Sequence, residues 1–366
     1  MKKMAAFLIS FAIFVGVFQG CAPTEERHRG GKLKIVCTLF AQYDFTRSIV
    51  GNRADVSLLL PIGAESHAYE PTPSDIISLK NADLFIYVGE EMETWIKPIL
   101  PQLDGGTVVL ELSKALGLKI ESHNHKHAAE TNTADETNAE GEEITADEKT
   151  AEGEEITADG KTAEDKDTSA PHETKTESAE SGTDILSGGE RLYDPHIWTS
   201  PMVAVRMTEA IRDALIKLDG AGESFYSGNA DSYIIKLWQL DERIRNVVAE
   251  AKRTEIIFGG RFALRNFADE YGLSYLAAFD SCTEETEPSA AAVARIIDEI
   301  KSKHIPVVFY EELMEPAVAQ SLAKETGAKP LLFHSCHNLS AEDFKNGETY
   351  ESLMRHNIEN LIIALN

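Results

Sequence analysis

The sequence predicts an α/β protein of two lobes, each a parallel sheet flanked by helices, joined by one long rigid helix. Two observations carry this. Short apolar runs alternate with amphipathic stretches from residue 33, and the same grammar restarts at about residue 255; repeated strand–helix–strand units make parallel sheets covered on both faces. Between the two halves, residues 222–252 keep apolar or small side chains at 226, 230, 233, 237, 240, 244, 247 and 251. That spacing of four and three is one face of a helix about 45 Å long. A coiled-coil arm between two copies is the alternative, but a helix lying along both lobes of a monomer accounts for the narrow stripe and has a lobe on either side.

The elements follow in order. "LKIVCTLF" (33–40) reads as a buried strand and "AQYDFTRSIVG" (41–51) as a helix closed by glycine. "ADVSLLL" is the second strand, "SDIISLKNA" a helix with Ser74 as its cap, and "DLFIYVG" the third strand. "METWIKPILPQL" is a helix bent or broken by its prolines, and "TVVLEL" a fourth strand. In the second half "EIIFG", "LSYLAAF", "PVVFYEE" and "PLLFH" are strands, separated by helices at about 261–271, 288–303 and 315–327, and "TYESLMRHNIENLIIALN" closes the chain as a helix. The first lobe is expected over 33–221, the linking helix over 222–252 and the second lobe over 253–366.

Composition narrows the class. The chain has 366 residues, 43% of them hydrophobic, which excludes global disorder, and a net charge of −26, which argues against nucleic acid or an anionic membrane surface as partner. The acidity is uneven: residues 121–190 hold 21 acids and 5 bases, a net of −16 that leaves −10 for the other 296 residues. That segment repeats "AEGEEITAD" at 139–147 and 151–159 and has almost no large apolar side chains, so it reads as a disordered insertion. It opens with "HNHKH", and His123, His125 and His127 on a flexible chain would hold zinc weakly.

"MKK" followed by the apolar run Met4–Phe18 reads as a signal peptide over 1–20, too short to remain as a spanning anchor. The sequence "VFQGC" then resembles a bacterial lipoprotein site, with Cys21 the acylated residue and 21–32 a flexible tether; a plain signal peptide is the alternative. The expected location is the cell envelope, extracytoplasmic and lipid-anchored. The mature chain keeps Cys37, Cys282 and Cys336, enough for one disulfide at most.

Ligands of open parallel sheets bind beyond the carboxyl ends of the strands. His67 follows "VSLLL", Arg261 follows "EIIFG", and Asp280 and Cys282 follow "YLAAF". Glu311 and Glu312 follow "VVFY", His334 follows "LLF" with Cys336 and His337 close behind, and His196 sits between prolines in "YDPHIWTSP". Polar, metal-capable side chains therefore collect where two lobes would share a cleft.

Taken in order, "GAESHAYEPTPSDI", "NADLFIYVGEEMETW", the acidic histidine-bearing insertion, "DPHIWTSP", "ADEYGL", "EPSAAAVARIIDEIK", "VVFYEE" and "TYESLMRHNIENL" resemble the zinc- and manganese-binding solute receptors of bacterial ABC importers. The resemblance runs from about residue 33 to the end. It implies one metal ion held between two lobes and delivered to a membrane permease. The family's two first-lobe histidines fall on His67 and His196. Its third falls on Arg261, and its last carboxylate falls on or near His334, so two of four positions depart from the pattern.

The histidine-rich set favours Zn²⁺, with Mn²⁺, iron or a small metal chelate as alternatives. Arg261 cannot ligate; it can pair with Glu287 or another acid, or bind a small anion beside the metal. The second lobe's ligand is expected to be His334, with His337 the nearest competitor, then Cys282 and Glu311. Cys282 and Cys336 either ligate as thiolates or remain a disulfide or buried thiols. A secreted zinc hydrolase is the rival class, but no H-E-x-x-H is present and no nucleophile–base pair stands out. A non-catalytic receptor is therefore the expectation.

Overall fold

The computed structural model describes residues 31–67, 69–103, 105–120, 192–279 and 288–366. The signal peptide, Cys21, the acidic insertion with His123, His125 and His127, and the loop with Asp280, Cys282 and Glu287 lie outside the described residues.

The first half builds β1 (Leu33–Cys37), α1 (Phe40–Val50), β2 (Ala54–Leu58), α2 (Pro73–Lys80), β3 (Leu84–Tyr87) and β4 (Val108–Glu111). Its four strands pair in parallel in the order β2-β1-β3-β4. A one-turn helix α3 (Leu112–Ala115) leads to β5 (Lys119–Ile120), which pairs in parallel with β6 (Leu192–Tyr193). Helices α4 (Pro201–Leu218) and α5 (Glu223–Ala249) follow. The second half builds β7 (Glu255–Phe258), α6 (Arg265–Tyr271), β8 (Ser274–Ala277), α7 (Ala290–Lys303), β9 (Val307–Tyr310), α8 (Ala317–Thr326), β10 (Lys329–Leu332), α9 (Ala341–Asn346) and α10 (Tyr350–Leu365). Its sheet, read β8-β7-β9-β10, repeats the strand order of the first. Chain direction across each sheet reverses between the first and third strands, at β1/β3 and β7/β9, the points beyond which open parallel sheets generally bind ligands.

The long helix forms as the stripe requires. Tyr226, Ala230, Tyr233, Leu237, Leu240 and Ile244 are buried along α5, whose 27 residues span about 40 Å. It packs on α4, α1 and α10, so elements from both halves meet on it. One apolar cluster runs from Ile35 and Ile86 of the first sheet, through Trp198 and Leu237, to Phe258, Phe309 and Phe333 of the second half. Smaller clusters cover the outer faces, Val36, Phe85 and Ile96 on one side and Ile257, Val308 and Ile296 on the other.

Local chemistry corrects several boundaries. Helix α2 is capped by Thr72 and not by Ser74: the Thr72 hydroxyl accepts the Asp75 N–H, the Asp75 carboxylate accepts the Thr72 N–H, and Pro73 takes the first helical position. "METWIKPILPQL" yields only two 3-10 turns, Thr94–Ile96 and Leu100–Gln102, because Pro98 and Pro101 withhold donors a helix needs. The helix expected over 261–271 is shortened to seven residues, since Arg261–Leu264 form a loop. Residues 201–218, which the strand-and-helix grammar leaves unassigned, form an 18-residue helix. Its signal was "TSP": the Ser200 hydroxyl accepts the Val203 N–H and Pro201 follows.

Two devices fasten the halves together. Asp44, buried on α1, accepts the Tyr233 hydroxyl of α5 at 2.9 Å and the Tyr350 N–H at the start of α10 at 3.0 Å. The loop after β10 is bound to the first half by main-chain groups: Phe40 N–H donates to His337 O, and Gly63 N–H to Leu339 O, both at 2.9 Å. Asn338, fully buried, donates from Nδ2 to Pro61 O and Ala64 O. Among the described residues no helix is long and apolar enough to cross a membrane.

Candidate metal site

His67 lies in the loop after β2 and His196 at the head of the 3-10 turn Ile197–Thr199; their Nε2 atoms face one another at 3.2 Å. His196 is 3% exposed, and its ring is fixed from behind. Asp194 Oδ1 accepts both the His196 N–H at 2.9 Å and Nδ1–H at 2.6 Å. A proton held at Nδ1 by Asp194 leaves Nε2 as the atom of the ring able to offer a lone pair. The loop itself is braced by Asn266 of α6, which exchanges two hydrogen bonds with the Asp194 backbone, and by Trp198, whose indole donates to Ser335 O at 2.8 Å.

The loop after β10 brings a second imidazole prepared in the same way. His337 Nδ1 lies 3.0 Å from Glu312 Oε1 and 2.7 Å from Ser335 Oγ, and its buried Nε2 has no hydrogen-bond partner. Burial alone would lower the His337 pKa. The hydrogen bond and charge of Glu312, helped by Glu65 and Glu311, outweigh it and raise the value to about 9. Glu312 is fully enclosed yet held well below the usual carboxylate range: burial opposes ionisation, but His334, His337 and the Ser335 hydroxyl overcome it.

His334 is wired differently. Its Nδ1 accepts the Cys336 N–H at 2.9 Å, which leaves the proton of the neutral ring on Nε2, a buried atom with no partner. Burial lowers its pKa, against the pull of Glu312. Cys336 makes this turn at φ +63°, with its thiol toward His334 O. Cys336 and Cys37 are free, buried thiols; burial raises the pKa of Cys336 well above normal and that of Cys37 to about 12. Neither is poised as a thiolate.

Carboxylates close the neighbourhood. Glu311 is buried, accepts the Ala263 N–H at 2.7 Å and is pushed up to about 7 by burial and by adjacent Glu312, against the pull of His196 and His337. Glu65 uses Oε1 to accept the N–H groups of Ser66 and His67, while Oε2 stands 4.0 Å from His337 Nε2 and 3.5 Å from Arg261 Nη1. Arg261 thus pairs with Glu65; Glu287, its other proposed partner, is outside the described residues. Among the described residues no three His, Cys, Asp or Glu side chains already stand close enough to hold a metal ion. The geometry gathers a histidine pair on one side and His337 with its carboxylates on the other.

A separate groove of about 590 Å³ lies between β4 and α4, lined by Val108, Leu110, Arg206, Ala210 and Asp213. It contains no histidine or cysteine and is not part of this constellation.

Asp194 and Glu65 were not among the residues weighed as part of the site from sequence; Glu312 was placed at the cleft, but not as the partner of His337. The first two had a signal, an acid two residues before the histidine in "DPH" and in "ESH". Glu312 had none for its role, because its link to His337 exists only once β9 and β10 lie side by side.

Comparison with known proteins decides the lineage. The family model for the zinc-uptake complex component A periplasmic matches residues 35–364. The chain belongs to this family. Among relatives of the zinc-uptake component, the high-affinity zinc uptake system protein ZnuA of Bacillus subtilis is 30% identical over 365 residues, covering 98% of this chain and 97% of its own length. The zinc-binding protein AdcA of Streptococcus pyogenes is 29% identical over 99% of this chain, which spans only 61% of AdcA. A crystal structure of the Zn(II)-bound ZnuA-like domain of Streptococcus pneumoniae AdcA superposes with a TM-score of 0.63 at 27% identity, covering 92% of this chain and 99% of that domain. The two-sheet architecture with its long helix is therefore that of the family.

Proposed function

We propose that this protein is the extracytoplasmic zinc receptor of an ABC importer, a non-catalytic, monomeric carrier that captures Zn²⁺ between its lobes and hands it to a membrane permease. In this reading Cys21 carries a lipid anchor, the lobes run over 33–221 and 253–366, and the helix over 222–252 holds their spacing. Relatives named for zinc binding and high-affinity zinc uptake support the cargo, and the word periplasmic in the family description supports the location.

One observation carries the assignment of ligands. Two imidazoles, His196 and His337, each engage a buried carboxylate through Nδ1, which leaves Nε2 as the atom turned to a metal. Together with His67 they make a three-nitrogen set suited to tetrahedral zinc, and a carboxylate from Glu65 or Glu311 completes it. His337 is preferred to His334 because Glu312 holds a proton at its Nδ1, so the one lost on metal binding leaves Nε2, whereas the His334 Nδ1 accepts the Cys336 N–H and the neutral ring keeps its proton on Nε2. Capture then requires His337 and a carboxylate to draw in on the His67–His196 pair. The decisive experiment is metal analysis of protein purified from its own envelope, with zinc titration of the stripped protein and of H196A. Stoichiometric zinc in the wild type and none in H196A is expected; a different dominant metal would replace zinc as the cargo.

A further inference from the structure

We infer that Arg261 is a built-in competitor of the metal ion, a resident cation that holds Glu65 and so sets how tightly zinc is kept; this rests on the zinc-receptor reading above. Arg261 follows β7 beyond a glycine pair. A Cβ at Gly259 would lie 2.6 Å from the Ala319 backbone, so β7 packs tightly against α8 just where the loop departs. The loop is pinned again by Glu311, which accepts the Ala263 N–H. Arg261 therefore stands on a fixed base at the crevice of the second sheet. Its side chain is 14% exposed, and its Nη1 is 3.5 Å from Glu65 Oε2.

The same oxygen, Glu65 Oε2, is 4.0 Å from His337 Nε2, the atom that would face the ion. One carboxylate thus serves two positive charges in turn, the guanidinium in the structure and a dication during capture. Guanidinium never loses its proton, so Arg261 cannot be neutralised out of the way. Mostly enclosed, it is less screened than a surface charge, so it repels a nearby dication more strongly than an exposed arginine would. A zinc ion that gains Glu65 must break the Arg261 pair or share the carboxylate with it. Both weaken retention and ease release to a permease.

The test compares zinc affinities by chelator competition for the wild type, R261M, R261Q, R261K, E65Q and R261M/E65Q, with melting curves to confirm folding. R261M and R261Q should bind zinc at least about tenfold more tightly than wild type, and R261K, which keeps the charge, should stay close to it. In the E65Q background the gain from R261M should shrink markedly, because the contested carboxylate is gone. Wild type that binds zinc beside folded R261M and R261Q proteins that bind no more tightly would overturn the competition alone. Wild type that binds no zinc would overturn the receptor reading and this inference with it.

Discussion

At the scale of single residues, the site turns on which ring nitrogen carries a proton. His334 and His337 are three residues apart on one loop and both turn Nδ1 toward Glu312 Oε1, at 3.3 and 3.0 Å, but only the Nδ1 of His334 accepts a backbone N–H, that of Cys336. Replacing His337 with alanine should weaken zinc binding by about a hundredfold or more, since a ligand is lost, whereas H334A should cost less than about tenfold. Calorimetric titration of both variants decides between them, and equal effects would end the assignment. The raised pKa of His337 adds a sign. A histidine whose folded value lies near 9, above its ordinary 6.5, contributes stability that is fully present below pH 6.5 and is lost as pH rises through 9. Zinc needs the same nitrogen bare, so affinity should move the other way, tightening by about tenfold per pH unit between 7 and 9 from this group alone. Titrations at three pH values, repeated with H337A, would expose a flat profile. His67, behind the apolar run of β2, and His196, among prolines, stand out in the sequence; the partner of a ring nitrogen is a tertiary fact and does not.

At the scale of elements, the strands of both sheets were legible as apolar runs, and the stripe of α5 as a helix face. What escaped was structure governed by caps and prolines rather than by hydrophobic period: α4 after its Ser200–Pro201 start, and the broken turns around Pro98 and Pro101. Asp44 was unreadable for another reason, since an acid inside an apolar helix face declares nothing about what it will meet. In the fold it joins α1, α5 and α10. Asp44→Ala would strand the Tyr233 hydroxyl and the Tyr350 N–H in the core, at a cost of about 2–4 kcal/mol. Urea unfolding should show that loss while zinc affinity, measured where the variant is folded, stays within about threefold of wild type.

At the scale of the whole molecule, the chain departs from the first half after β5 and returns at β6, and these two strands lie side by side in register, Lys119 against Leu192. The acidic insertion therefore leaves and re-enters at neighbouring points. Removing residues 122–182 should keep that pairing and leave the melting temperature of the zinc-loaded protein within about 3 °C of the parent, because little apolar surface goes with it. The main zinc equivalent should remain, while weak extra equivalents from His123, His125 and His127 disappear. Loss of the main site on deletion would mean that the segment supplies a ligand.

The straps between the β10 loop and the first half have a consequence for signalling. Phe40, Gly63 and Asn338 join the two halves beside the site itself, so swinging one half away from the other would break the hydrogen bonds that tie them. The outline of the receptor should hence be the same whether or not it carries its cargo, and small-angle scattering curves recorded with and without zinc should superimpose. In the proposed reading, a permease docking on such a carrier would have no change of posture to recognise. It must tell full from vacant by touch, from the local order of the rim around Glu65, His67 and Arg261.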